Sequence, residues 1–350
     1  MTRCSYLVPV RWADGEGRAG LAAHLTAMNV LGVEVIVADG SEPPVFAANA
    51  AAFEAAGALH LPVAPDLGCR NGKVAGVLTA ARHASHEALV IADDDVRHDA
   101  ATLARTVALL ADHDLVRPQN YFRPLPWHAR WDTARTLLNR AVGRDYPGTL
   151  AVRRSLLRET GGYDGDVLFE NLELMRTVAA AGGSEAAPLD LYVPRLPPST
   201  RHFLGQRVRQ AYDDFALPAR MALWLAVVPG LALAAARRRP GPPLAAAAGA
   251  VALAELGRRR AGGRAVFPVT GSLAAPLWAL ERGVCAWLAL AARLRHGGVG
   301  YAGTRIAVAA NPPRELRRRL SLRRSAAAPR APSERHQSDS GYLGPWLPRT

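Results

Sequence analysis

The sequence predicts an α/β fold, a mostly parallel sheet covered by helices, followed by a run of apolar helices. Three observations predict it. Short apolar runs alternate with helix-period segments through the first two hundred residues, the pattern of strand–helix units around a parallel sheet. The run at 88–97, ALVIADDDVR, stops abruptly in Asp93, Asp94 and Asp95, as a buried strand does when it delivers polar side chains to a sheet's rim. From residue 217 the chain turns into long apolar stretches separated by arginine triplets, which places membrane-associated helices after the α/β part.

The elements follow in order. Strands are expected at 6–10, 33–38, 59–63 and 89–92, and helices at 21–29, 45–56 and 100–110. Between the third and fourth strands, Val74, Val77, Leu78 and Ala81 repeat at helical spacing, and Asn71 is placed to cap that helix. Residues 119–146 read as a loop-rich middle holding Trp127, His128 and Trp131. A strand at 148–153 and a helix at 156–159 come next, ended by Gly161–Gly162. A second helix starts near Glu170 and stops at Gly182–Gly183, with Leu168, Leu172, Met175 and Ala179 as its apolar stripe. Glu170 and Glu173 share another face, three residues apart.

The 350 residues hold one large domain or two smaller ones, and 49% are hydrophobic, enough for a buried core. Cys4, Cys69 and Cys285 match no zinc or disulfide spacing, which fits a reducing compartment. The first apolar run is too short for a signal peptide and contains Pro9, so the first domain is expected in the cytoplasm. The net charge of +13 gathers late, in Arg237–Arg239, Arg258–Arg260 and Arg314 to Arg324. Basic runs beside apolar segments suit an anionic membrane surface. Nucleic acid would also accept such charge, but few aromatics interleave with the arginines and no nucleic-acid partner is expected.

Residues 217–236 hold a single charge, Arg220, over about the twenty residues a bilayer crossing needs, with a kink expected at Pro229–Gly230. Residues 244–257 are shorter and carry Glu255; residues 269–294 are long enough but contain Glu281 and Arg282. Three full crossings from a cytoplasmic domain cannot put both arginine triplets and the basic tail on the cytoplasmic side, so at least one segment is expected to be interfacial or re-entrant. The expected division is 1–215 for the α/β domain, 216–296 for the membrane-associated helices and 297–350 for a basic, largely disordered tail.

Three carboxylates at a strand end repel one another unless a cation or hydrogen-bond donors offset them. A divalent cation, Mg2+ or Mn2+, shared with a phosphorylated substrate would do so. Asp93 and Asp95 lie two apart and point to the same side of an extended chain.

Five ordered segments across residues 5–310 together resemble the family 2 glycosyltransferases of GT-A fold, in the membrane-attached branch of ceramide glucosyltransferases and cellulose-synthase-like enzymes. They are VIVADGS around Asp39, RNGKVAGVLTA around Lys73, ADDDV, GGYDGDVLFENLELMRTV, and QRVRQ at 206–210. The resemblance implies an inverting transfer of a sugar from a nucleotide donor, UDP-linked by default, to a lipid or membrane-bound acceptor. It implies that Asp39 contacts the base, that Lys73 faces the nucleotide or its phosphates, and that Asp93 and Asp95 hold the metal beside Asp94. Gln206 and Arg209 fall in the membrane-interface motif. The catalytic base is expected at Glu170, then Glu173, then Asp164. Two departures stand out. Asn171 occupies the place of the usual aspartate and cannot accept a proton, and Gln210 replaces a tryptophan. They motivate an alternative, a relative that binds nucleotide sugar without efficient transfer. A basic module binding anionic lipid or nucleic acid is the third reading. The implied location is the cell membrane, with the catalytic domain on the cytoplasmic side.

Overall fold

The computed structural model describes residues 3–143 and 145–327. Short runs of β-branched and small residues form the strands β1 (Ser5–Val10), β2 (Glu34–Asp39), β3 (Leu59–Pro62), β4 (Ala88–Ala92) and β5 (Leu115–Val116). Helices α1 (Arg18–Val30), α2 (Pro43–Ala55), α3 (Gly72–His83) and α4 (Ala100–Leu109) connect them. Then come β6 (Gln119–Phe122), α5 (Trp127–Val142), β7 (Thr149–Arg153), α6 (Arg154–Glu159), α7 (Glu170–Ala180), β8 (Glu185–Ala186) and β9 (Tyr192–Arg195). The order across the main sheet is β3-β2-β1-β4-β7-β5-β8. Every pairing is parallel except those of β7, which runs antiparallel to both β4 and β5. A mostly parallel sheet with flanking helices is what the alternating sequence predicts.

Strand residues alternate between two cores, as the pleat requires. Leu7, Ile36, Leu89, Ile91, Leu150 and Val152 face α3 and α7, while Tyr6, Val8, Val35, Val37, Val90 and Ala151 face α1, α2 and α4. Both faces are covered, so the strands read as nearly continuous apolar runs.

Two expectations need correction. Residues 119–146, which the sequence predicts as a loop-rich middle, contain α5, a 16-residue helix. Its inward face carries His128, Asp132, Thr136 and Arg140 among its buried residues, so no apolar period marks it. Residues 297–327, expected as the start of a disordered tail, also fold. They form a hairpin of β10 (Val299–Tyr301) and β11 (Thr304–Ile306) and the helix α13 (Pro313–Ala327), after the C-terminal helices described next. The rest of the expected tail lies outside the described residues.

The helix α8 (Thr200–Tyr212) and a 3-10 turn over Asp213–Ala216 lead into α9 (Pro218–Ala236), α10 (Gly241–Arg259), α11 (Val269–Leu273) and α12 (Ala275–His296). Among the described residues only α9 is long and apolar enough to cross a membrane. The charges of α12 turn inward instead. Glu281 accepts from Arg207 Nε and from Trp131 Nε1, and Arg282 is 2% exposed. Its apolar residues Leu277, Leu280, Val284, Trp287 and Leu288 are exposed. Glycines allow these helices to approach α5: a Cβ on Gly257 would overlap the Leu137 carbonyl, and one on Gly271 would lie 2.8 Å from Thr133 Cγ2.

Candidate active site

A cavity of about 620 Å³ opens beyond the carboxyl ends of β1 and β4, between the sheet rim and α5, α7, α8 and α12. The aspartate trio forms its floor. After Ala92 the chain turns, with Asp93 N donating to Gly148 O at 2.9 Å and Val96 N to Asp93 O at 3.0 Å. The close approach needs a glycine: a Cβ on Gly148 would overlap Asp93 Oδ2 and lie 3.1 Å from Arg195 Nη1.

Lys73 is placed by the start of α3. The Asn71 side chain caps that helix by accepting from Lys73 N at 3.1 Å, and its Nδ2 is anchored on Val167 O at 3.0 Å. Lys73 Nζ then lies 2.6 Å from Asp93 Oδ1 and 2.7 Å from Glu170 Oε1. Burial opposes the ammonium charge, but the Asp93 and Glu170 carboxylates outweigh it and raise the Lys73 pKa above its ordinary value.

Arg195, at the end of β9, holds the other side of the trio. Its Nη2 lies 2.6 Å from Asp95 Oδ2 and 3.7 Å from Asp93 Oδ2. Asp95 Oδ1 is buried and has no hydrogen-bond partner. Burial, with Asp93 and Asp94 adding to it against Arg195, pushes Asp95 up to about 6. Asp94 accepts from Trp12 Nε1, and burial raises its pKa as well.

Glu170 opens α7 on the cavity wall, with Asn171 beside it. Asn171 is fully engaged: Oδ1 accepts from Lys73 Nζ at 3.4 Å and Nδ2 donates to Pro147 O at 2.8 Å. Gln206 and Arg209 of α8 also line the cavity, and the Arg209 guanidinium lies 5.2 Å from the centre of the Tyr301 ring. The other arginine of that motif, Arg207, turns away from this role and bridges Asp132 at 2.9 Å and Glu281 at 2.5 Å.

Three expected site residues do not line the cavity. Asp39 is 2% exposed, and its carboxylate is saturated by Ser41 N at 2.8 Å, Asn49 Nδ2 at 2.8 Å and His60 Nε2 at 3.1 Å. Burial opposes its charge, yet these hydrogen bonds hold it at about 2. Glu173 is fully buried and accepts from Asn311 N at 2.7 Å and Asn311 Nδ2 at 2.8 Å. Asp164 accepts from the same Asn311 Nδ2 at 2.8 Å and from Arg319 at 2.6 Å. Neither glutamate 173 nor aspartate 164 is placed to take a proton from a molecule in the cavity.

Conversely, Arg195, Asp213 and Tyr301 line the cavity although no sequence motif marks them. The tryptophan–histidine cluster lies on α5 and not on a loop. There His128 packs against Phe203 at 5.4 Å and pairs with Pro198 O at 2.8 Å.

No family model matches the chain, and no curated protein does either. Among solved structures it is similar to the mannosyltransferase PcManGT from Pyrobaculum calidifontis, in complex with GDP-Man and Mn2+, at 20% identity and a TM-score of 0.47, over 93% of this chain and 86% of that one. It is also similar to glucosyl-3-phosphoglycerate synthase from Mycobacterium tuberculosis, in complex with Mn2+, UDP-Glc and phosphoglyceric acid, at 19% identity and a TM-score of 0.42, over 58% of this chain and 75% of that one. Likenesses of this size leave the function of this chain to be argued from its own cavity.

Proposed function

We propose that this chain is a GT-A glycosyltransferase that moves a sugar from a nucleoside-diphosphate donor, a UDP-sugar first, to an acceptor presented at a membrane. One observation carries the reading. Asp93, Asp95, Lys73, Glu170, Gln206 and Arg209 come from four separate elements and meet in one cavity. That cavity lies beyond the carboxyl ends of parallel strands, where α/β sheets bind their ligands.

The donor set fits a hard divalent cation, Mg2+ or Mn2+. Asp93 and Asp95 offer oxygen ligands, and the buried Oδ1 of Asp95 lacks any partner. Two carboxylates leave the remaining coordination to phosphate oxygens and water, the usual arrangement for magnesium at a phosphorylated substrate. When bound, such a cation neutralises the charge that develops on a departing diphosphate. Lys73 and Arg209 bring further positive charge to the same wall. Glu170 fixes Lys73 in place through their 2.7 Å ion pair.

The C-terminal helices support an acceptor presented at a membrane. Leu223, Leu231 and Leu233 of α9, Leu253 and Leu256 of α10, and the stripe of α12 are all exposed. Exposed apolar side chains on helices that pack together suit a membrane or partner contact. The exposed triplet Arg237–Arg239 beside it suits anionic lipid headgroups. On this reading the catalytic domain faces the cytoplasm, with α9 as the anchoring segment.

The test is release of nucleoside diphosphate from UDP-glucose, UDP-galactose, UDP-N-acetylglucosamine and GDP-mannose, with Mn2+ and with EDTA. Turnover of at least one donor is expected, abolished by EDTA and by Asp95→Ala. Donor binding without any turnover would instead support the non-transferring relative that Asn171 and Gln210 suggest. Absence of both binding and turnover would end the glycosyltransferase reading.

A further inference from the structure

We infer that Asp213, and not Glu170, takes the proton of the attacking hydroxyl. This assignment rests on the glycosyl-transfer reading above. Beyond the aspartate trio, the carboxyl groups lining the cavity are Asp132, Glu170, Asp213 and Asp214. Three of these are committed to cations. Asp132 lies 2.9 Å from Arg207 and 3.4 Å from Arg135, Asp214 lies 2.9 Å from Arg220, and Glu170 lies 2.7 Å from Lys73. Among the described residues Asp213 makes no ion pair, and its Oδ1 is buried with no hydrogen-bond partner.

A carboxylate held against an ammonium or guanidinium has its oxygens engaged by that cation, whereas an unpaired one is open to an incoming hydroxyl. Asn171, at the position where the resemblance expects an aspartate, offers no basic atom, and both ends of its amide are engaged. Asp213 begins the 3-10 turn that follows α8, is half-buried and lines the cavity. The charged groups around it are Glu170 from α7, the adjacent Asp214, Arg282 from α12 and Arg209 from α8. Burial is the largest influence; it and the two carboxylates outweigh the two arginines and raise the Asp213 pKa well above the ordinary carboxylate range. A base with a pKa moved toward the working pH transfers protons most effectively.

The step balances as follows. The acceptor O–H bond breaks and its proton passes to the Asp213 carboxylate. The freed electron pair forms the new bond from that oxygen to C1 of the sugar. The C1–O bond to the diphosphate breaks, and its pair leaves with the nucleoside diphosphate. With water as acceptor the same step is donor hydrolysis, which needs no knowledge of the natural acceptor.

The experiment measures kcat and KM against pH for Mn2+-dependent hydrolysis of whichever nucleotide sugar the wild type turns over. It compares wild type, Asp213→Asn, Asp213→Glu and Glu170→Gln. Asp213→Asn is expected to lower kcat by about 10²- to 10⁴-fold, leave KM unchanged and abolish the rise of kcat with pH. Asp213→Glu restores part of the rate with a displaced pH profile. Glu170→Gln acts through Lys73, raising KM while keeping the pH limb. An infrared band of a protonated carboxyl, titrating with that limb and missing in Asp213→Asn, reads the group directly in the free protein. Retention of UDP–Mn2+ affinity by Asp213→Asn shows that the variant is folded. Wild-type kcat and pH profile in Asp213→Asn, or loss of the limb in Glu170→Gln, overturns the assignment while leaving the transfer reading intact. A wild type that turns over no nucleotide sugar overturns the transfer reading, and this assignment with it.

Discussion

At the scale of residues, the site depends on how closely backbone and carboxylate approach. Gly148 donates no side chain because none fits between its Cα and Asp93. Gly148→Ala is therefore expected to displace Asp93 from Lys73 and weaken UDP–Mn2+ binding by about tenfold or more, equivalent to ~1.4 kcal/mol, as calorimetry would show. Ala302 sits at φ 46 in the two-residue turn of the β10–β11 hairpin, a left-handed conformation that costs a β-carbon-bearing residue about 1–2 kcal/mol. Ala302→Gly relieves it, and a gain of about 1 kcal/mol in denaturant unfolding is expected, reduced somewhat by the freedom glycine adds to the unfolded chain. That Asp93, Asp95, Lys73, Glu170, Gln206 and Arg209 meet in one cavity was legible because each lies in a short local pattern. Asp39, Glu173 and Asp164 do not line that cavity, which sequence could not show because it gives a carboxylate but not its partners. Asn49 and His60 saturate the first, and Asn311 engages the other two. Arg195, Asp213 and Tyr301 reach the cavity from separate elements that carry no pattern of their own.

At the scale of elements, the strands and the helices around them were legible because their apolar periods are local. Helix α5 was not, because the partners of its polar face lie far along the chain. Arg140 donates to Gly257 O at 3.2 Å and to Arg260 O at 2.7 Å, and Asp132 meets Arg207. Helix α12 tolerates Glu281 and Arg282 in an otherwise apolar stretch because Glu281 pairs with Arg207 and Arg282 lies 3.6 Å from Asp214. Arg207 ties α8 to α5 and α12 at once, and both it and Asp132 are buried. Arg207→Ala strands Asp132 and Glu281 without their cation and is expected to cost about 3–5 kcal/mol in urea unfolding. Gly257→Val would force α10 off the Leu137 carbonyl, with a loss of about 1–3 kcal/mol. Equal stability of either variant and the wild type would show that the C-terminal helices are not built onto α5 as described.

At the scale of the whole molecule, buried titratable groups set an acid limit. Desolvation, with Arg97 adding to it, lowers His24 to about 4, and desolvation, with His24 adding to it, lowers His98 to about 3. The unfolded chain takes up these protons from about pH 6.5 downward, while the folded one does not until its own lower pKa values. Stability is therefore lost as pH falls from about 6.5 toward 3. Asp39 and Asp132 are held at about 2, the first by hydrogen bonds and the second by Arg135 and Arg207, both against burial. Their contribution is present above about pH 4 and is lost as pH falls to about 2. The melting temperature is expected to fall in two stages between pH 7 and pH 2, and His24→Gln with His98→Gln should flatten the first. The central claim is that Asp93 and Asp95 hold a divalent cation against the diphosphate of a nucleotide. Calorimetric titration of UDP and of GDP, with Mn2+ and with EDTA, on wild type and Asp93→Ala/Asp95→Ala, tests it most directly. Binding that requires Mn2+ and is lost from the double variant is the predicted result. Binding of equal strength without the cation, or retained in the variant, would contradict it.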